Sequence, residues 1–104
     1  MGDDAELPYT FDCDRAAELL DLMSSPVRLE VLQRVAVREW DVKSLASDLA
    51  ISQSALSQHL SKLREAMLVT TRRSSQHIFY SSQSKAVLEI LRALDELGAR
   101  QRDI

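Results

Sequence analysis

Apolar residues recur three or four positions apart over most of the chain, which is the spacing that places them on one face of an α-helix. The first predicted helix starts between residues 12 and 14 and ends at 23, and the next three cover residues 25–37, 41–50 and 52–66. The last runs to about residue 98 and is capped by Ser82 or Ser84. Ser25, Asp41 and Ser52 stand where a side-chain oxygen can cap the first turn of the following helix. Pro26 occupies the first helical position, where its missing N–H costs nothing. The pattern therefore predicts a mainly helical chain.

The spacing changes between the fourth and fifth predicted helices. Residues 69–73 and 77–81 are rich in β-prone side chains and are separated by three polar residues. This arrangement predicts a two-stranded β-hairpin, although an irregular loop is the alternative. Helices three and four are joined by a turn of about three residues, which predicts a helix-turn-helix. The fold class is therefore mainly α, a winged helix-turn-helix of four helices, a hairpin wing and a C-terminal helix.

The fourth predicted helix has two chemically different faces. At 100° per residue, Leu56, Leu60, Leu63 and Met67 fall within roughly 40° of one another and form a stripe that predicts burial. The opposite face carries amide and hydroxyl groups, which can bond to base edges in the major groove of DNA. The predicted base-reading residues are Gln53, Ser54, Ser57 and Gln58. The alternative is a surface helix whose polar face meets only solvent.

Charge is unevenly distributed over the chain, whose formal net charge is −3. Residues 1–24 carry seven acidic side chains against one basic one, whereas residues 51–77 carry four basic side chains against one acidic one. A basic face on an acidic body can bind DNA through local contacts. The predicted contacts to the DNA backbone or groove walls are Ser61, Lys62, Arg64, Arg72, Arg73 and His59. Chance fluctuation in charge, and a solvated strand end for the two wing arginines, are the alternatives.

Length and composition set further limits. A chain of 104 residues with 45% hydrophobic content is long enough for one folded domain. No apolar run approaches the roughly 18 residues of a membrane span, and no signal peptide is evident, so a cytoplasmic location is expected. We expect residues 1–11 to be a disordered acidic segment and residues 12–104 to form the DNA-binding and dimerisation domain. No arrangement of residues typical of an enzyme active site is found.

Four stretches of the chain resemble the ArsR-type family of small winged-helix repressors. They are Ser-Pro-Val-Arg-Leu-Glu-Val-Leu at 25–32, Leu45-Ala46 with Leu49, residues 52–64, and Leu68-Val69 before the wing. The second half is especially similar to the rhizobial nodulation repressors of that family. The resemblance implies a homodimer that binds a pseudo-palindromic DNA operator and blocks transcription.

The resemblance also implies that the first and last helices form the dimer interface. Both helices carry more apolar residues than a small monomer easily covers, although packing within one monomer is the alternative. The candidate interface residues are Leu19, Leu20, Met23, Leu91, Leu94 and Leu97. Two rivals to a simple repressor remain: a winged-helix module for protein contacts, and a repressor that senses a small ligand or an oxidant through the dimer interface or Cys13.

The chain departs from the metal-sensing members of the family. Many of them have Cys-Val-Cys where this chain has Asp41-Val42-Lys43, and others use His on the last helix, where this chain has none. His59 and His77 lack further ligands for zinc, so neither a metal nor another cofactor is predicted. Cys13 is the single cysteine, which excludes an intrachain cysteine pair. We favour an inert thiol there, with a disulfide between subunits as the alternative.

Two turn positions also depart from the family pattern. Ala50 and Met67 stand where glycine is often found, at the ends of the third and fourth helices. If the backbone there is left-handed, each side chain costs on the order of 1–2 kcal/mol.

Overall fold

The computed structural model describes residues 8–99 of the chain. The elements are α1 (Cys13–Met23), α2 (Pro26–Val35), β1 (Trp40–Asp41), α3 (Val42–Leu49), α4 (Gln53–Glu65), β2 (Thr70–Ser74), β3 (His77–Ser81) and α5 (Lys85–Ala99). This order confirms the winged helix-turn-helix. Residues 8–11 have no regular secondary structure. The expected disorder of residues 1–11 falls mostly outside the described residues and stays a prediction, as does the boundary at residue 12.

Side-chain caps start the helices as the sequence predicts. The Ser52 hydroxyl accepts the backbone N–H of Ala55 at 3.0 Å, and the Ser25 hydroxyl accepts that of Arg28 at 3.3 Å. Of the two serines considered for the last helix, Ser84 is the cap, since its hydroxyl accepts the Val87 N–H at 3.2 Å. Each cap satisfies a backbone donor that the first helical turn leaves free.

Helix α2 ends at Val35, two residues earlier than predicted. The Val35 carbonyl accepts the backbone N–H of Ser82 at 2.9 Å, so it is bonded to the segment that follows the wing. The Arg34 carbonyl accepts the indole N–H of Trp40 at 3.1 Å. These partners take up the carbonyls of the last turn, and they place the half-buried Trp40 where α2 meets α3.

The sheet has three antiparallel strands in the order β1-β3-β2, whereas the sequence predicts only the β2–β3 hairpin. Strand β1 has two residues, and Trp40 lies opposite Tyr80 on β3. A two-residue strand is too short to show a period along the chain. The extra strand connects the base of the wing to the start of α3.

The core is built mainly from α2, α3 and α4, with single residues from α1 and α5 and two from the segment before the wing. Its members are Met23, Val31, Leu32, Val35, Leu45, Ala46, Leu56, Leu60, Leu63, Leu68, Val69 and Val87. Helix α4 contributes three leucines, each at most 1% exposed. Burying such a side chain contributes roughly 1.5–3 kcal/mol. The predicted stripe is therefore confirmed for these three residues.

Met67 is the exception, because the structure leaves it 81% exposed and not in the core. Its backbone φ of 63° is left-handed and takes its side chain out of the helical stripe. Ala50, at the end of α3, has φ 57° and ψ 44°. The N–H of Ile51 donates to the Ala46 carbonyl at 3.1 Å, and that of Leu68 donates to the Leu63 carbonyl at 2.9 Å. Both helices thus end in the hydrogen-bond pattern that favours glycine at the left-handed position.

Replacing both left-handed residues by glycine is expected to stabilise the protein. Ala50→Gly and Met67→Gly each remove a clash between Cβ and backbone, and neither side chain is buried. Glycine loses more backbone entropy on folding, so we expect a net gain of about 0.5–1 kcal/mol per site. The measurement is urea unfolding at a fixed chain concentration. Ser47→Gly is the control, since Ser47 is an exposed helical residue of α3 and its replacement should destabilise by about 0.5 kcal/mol.

Candidate nucleic-acid interface

The outward face of α4 is exposed in the described part of the chain. All four residues predicted to read bases, Gln53, Ser54, Ser57 and Gln58, are exposed. Their polar groups make one side-chain contact among the described residues, between the hydroxyls of Ser52 and Ser54 at 3.4 Å. The amides of the two glutamines are therefore available as both donors and acceptors. A row of such groups on one helix face matches what the edges of base pairs present in the major groove.

A polar and basic flank follows the base-reading residues toward the end of α4. Ser61, Lys62 and Arg64 are exposed, and within residues 8–98 neither of the two cations forms an ion pair. Glu65 is the one acidic residue of this helix. The arrangement leaves two positive charges free to approach a polyanion.

His59 lies at the edge of this surface and is half-buried. Its Nδ1 accepts a hydrogen bond from Nε of Arg28 at 3.3 Å, and Arg28 also donates to the Leu22 carbonyl at 3.1 Å. Burial lowers the pKa of His59, and the positive charges of Arg28 and Lys62 lower it further. His59 is therefore neutral at neutral pH and links α4 to α2. This contact favours a structural role for His59 over the predicted contact with DNA.

The two wing arginines have different surroundings. The guanidinium of Arg72 donates two hydrogen bonds to the Glu39 carboxylate, at 2.8 and 2.9 Å, and lies 5.0 Å from the centre of the Phe79 ring. The hydrogen bond from Arg72 lowers the pKa of Glu39. Arg73 is exposed and has no acidic partner within the described part of the chain. Sequence reasoning missed Glu39, which is 33 positions from Arg72 and belongs to no periodic pattern.

The apolar residues predicted for a dimer interface divide into three groups. Met23 is 4% exposed within one chain, which assigns it to the core rather than to a surface open to a partner. Leu19 and Leu91 are half-buried and pack against the core. Leu20 is 57% exposed, and Leu94 and Leu97 are half-buried outside the core.

A groove of about 860 Å³ runs between α2 and α5 beside these residues. Its apolar lining includes Leu29, Ala36, Val37, Leu88, Leu91 and Leu94. Leu88 is 40% exposed and Val37 82%. Leu88 was missed although it lies three positions before Leu91, a helical spacing that could have placed it beside the others. An apolar groove with Leu88 and Val37 exposed at its border is typical of interaction surfaces.

Asp41, at the first of the two positions where many metal-sensing members have cysteine, caps α3. Its carboxylate accepts the Ser44 backbone N–H at 3.3 Å, and the side-chain hydrogen bond of Ser44 lowers its pKa. Within residues 8–98, no three His, Cys, Asp or Glu side chains are grouped as a metal site would require. Cys13 is an exposed free thiol. None of the helices described is long and apolar enough to cross a membrane.

Comparison with known proteins finds the same fold in solved structures and a match to one protein family. Residues 25–71 match the model of "Bacterial regulatory protein, arsR family". This segment runs from the cap of α2 through the helix-turn-helix to the first residues of β2. It therefore contains the entire outward face of α4.

Relatives extend the match over most of the chain. The nodulation protein NolR of Rhizobium meliloti is 51% identical over 92 residues, which are 88% of this chain and 75% of NolR. The transcriptional activator HlyU of Vibrio cholerae is 43% identical over 83 residues, 77% of each protein. The crystal structure of NolR from Sinorhizobium fredii superposes with a TM-score of 0.76 at 45% identity, covering 88% of this chain and 96% of that one.

Proposed function

The chain belongs to the arsR family of bacterial regulatory proteins and is a DNA-binding transcriptional regulator, not an enzyme; from this we propose that it is a homodimeric repressor of a pseudo-palindromic operator. In this proposal the α4 helices of two subunits enter successive major grooves about 34 Å apart. Transcription is blocked while the dimer occupies the operator. The protein acts in the cytoplasm, where the chromosome is accessible, and needs no metal.

The observation that carries the proposal is the outward face of α4. Gln53, Ser54, Ser57 and Gln58 are exposed, and their amide and hydroxyl groups are almost free of protein partners. The leucines on the opposite face hold the helix to the core. Base reading is then the role of these four residues. The phosphate contacts are made by Ser61, Lys62, Arg64 and Arg73. Arg72 also contacts a phosphate once it is released from Glu39.

The homodimer rests on the apolar surface of α1 and α5. Leu20, Leu88 and Leu94 would each bury apolar area that one chain leaves in water. Apolar burial is worth about 25 cal/mol per Å² and favours association of two such surfaces. The relatives include one described as an activator, HlyU. Repression is proposed here because the chain is more similar to the nodulation protein NolR than to HlyU, and over a longer part of its length.

Two substitutions test base reading and phosphate contact separately. Gln53→Ala is expected to relax sequence preference, with about 1–3 kcal/mol of discrimination lost at one base pair. Arg73→Gln is expected to weaken binding to all sequences alike and to reduce the salt dependence of log K by roughly one phosphate contact. The measurement is fluorescence anisotropy on operator DNA and on single-base variants at several salt concentrations. The operator itself comes first from genome-wide mapping of binding sites.

Matched controls are available on surfaces away from α4 and the wing. Gln83→Ala removes an exposed glutamine between β3 and α5, and Arg15→Gln removes an exposed arginine on α1. Both should leave affinity, discrimination and salt dependence close to the wild-type values. Unchanged operator discrimination by Gln53→Ala would exclude Gln53 as a base reader.

Two other functions predict different results in the same assays. A winged-helix module for protein contacts predicts little salt-sensitive DNA affinity for the wild-type protein. A repressor that senses a small ligand through the dimer interface predicts that native mass spectrometry detects the retained ligand. A repressor that senses an oxidant through Cys13 predicts loss of DNA binding after mild oxidation. The apolar groove between α2 and α5 is the surface that a ligand at the interface would occupy.

A further inference from the structure

We propose that the Glu39 carboxylate binds the guanidinium of Arg72 where a DNA phosphate would otherwise bind, and thereby limits the affinity of this protein for DNA. The proposal rests on the proposed DNA-binding function and adds a residue that sets the affinity for DNA. Glu39 lies in the turn before β1, outside both the helix-turn-helix and the wing hairpin.

The contact has the geometry of an arginine bound to a phosphate. Nε and one terminal nitrogen of Arg72 donate to the two carboxylate oxygens of Glu39 at 2.8 and 2.9 Å. The same planar fork binds two oxygens of a phosphate group. While Glu39 holds both donors, they are not available to DNA, although Arg72 lies on the wing beside Arg73, which has no acidic partner among residues 8–98.

The sheet explains why two residues so distant in sequence meet. Arg72 on β2 pairs with Phe79 on β3, and Phe79 pairs with Asp41 on β1, so the three lie in one row across the sheet. Side chains alternate between faces along a strand, which places Glu39, two positions before Asp41, on the same face as Arg72. The Phe79 ring lies 5.0 Å from the guanidinium and supports its position over this face.

The contact is weak enough to be exchanged. The side chains of Arg72 and Glu39 are 55% and 38% exposed, and exposed ion pairs contribute little to stability because water and salt screen them. A DNA backbone offers many phosphates and releases counterions when it binds a cation. Arg72 can therefore leave Glu39 for DNA, but the carboxylate is then left unpaired beside a polyanion. The free energy needed to break the pair reduces affinity for every DNA sequence.

The test is a double-mutant cycle on the full-length protein with Glu39→Gln, Arg72→Gln and the double variant. Glutamine keeps the size of Glu39 and removes its charge. We expect Glu39→Gln to tighten binding to operator and to random duplex DNA by about 3- to 10-fold at low salt. We expect the slope of log K against log[salt] to change by less than the 0.9 of one full phosphate contact, because Arg72 also reaches a phosphate in the wild-type complex. Arg72→Gln should weaken binding to both DNAs.

The double variant separates release of Arg72 from a general loss of negative charge. If Glu39 acts through Arg72, adding Glu39→Gln to Arg72→Gln should change affinity by less than about twofold. Glu18→Gln removes an exposed acid from α1 and reports the effect of net charge alone, which should be equally small.

The outcomes distinguish this proposal from the one on which it rests. Weaker or unchanged binding by Glu39→Gln would show that Glu39 supports the wing or does nothing, and would overturn the inference alone. An equal gain in the Arg72→Gln background would also overturn it, since Glu39 would then act by general repulsion. Absence of salt-sensitive DNA binding by the wild-type protein would remove the proposed function itself.

Discussion

Leu94→Asp is expected to convert the protein to a monomer and to lower its affinity for a full operator by about 100-fold or more. Leu94 lines the apolar groove between α2 and α5 and lies outside the core of one chain. A carboxylate there would have to be desolvated against the apolar surface of a second subunit, which costs several kcal/mol. Losing the second recognition helix also removes the gain from binding two linked half-sites, which typically reaches 10²–10⁴.

The measurement is the mass by light scattering at micromolar concentration, followed by binding to full operators and half-operators. Ala93→Asp is the matched control, because it puts the same charge on an exposed neighbouring position of α5. Leu20→Glu is a second variant, on α1, where the side chain is 57% exposed and its replacement leaves the core of the single chain intact. A dimer of wild-type affinity in both leucine variants would contradict the proposed interface.

Leu60→Ala is expected to lower the free energy of unfolding by about 3–5 kcal/mol. Leu60 is 1% exposed and lies in the middle of the three leucines that hold α4 to the core. Removing it leaves a cavity in addition to the lost transfer free energy. Against a total stability of about 5–15 kcal/mol, this loss is large, and DNA binding should weaken because α4 is no longer held in place.

Urea unfolding at equal chain concentration measures the effect, because dimerisation makes stability depend on concentration. Ser61→Ala is the control, since it changes the next residue on the exposed face of the same helix and should alter stability by no more than about 0.5 kcal/mol. Similar losses for the two variants would contradict the division of α4 into a buried and a DNA-facing side.

The helices could be predicted because their signals are local. Ser25, Asp41 and Ser52 cap backbone donors three residues away, and the leucines of α4 follow a period of one turn. The winged helix-turn-helix follows from the order of these elements and from the short turn at Ala50. Even the left-handed backbone at Ala50 was foreseen as a possible cost, and the structure has it.

The burial of individual apolar residues could not be predicted from period alone. Met23 and Leu20 both lie on the apolar side of α1, yet the first is 4% and the second 57% exposed. Met67 continues the stripe of α4 in the sequence, but the helix ends before it. Which apolar residue is covered depends on where neighbouring elements pack, and that depends on the entire fold.

The order of the helices and the hairpin, the helix caps and the polar face of α4 follow from the amino-acid sequence, since each depends on residues within about one helical turn. Tertiary structure alone decided the third strand, the early end of α2 and the ion pair between Glu39 and Arg72. These features join positions tens of residues apart, where no periodic pattern relates the partners. Their physical basis is hydrogen bonding and charge pairing between groups that only the folded chain brings together.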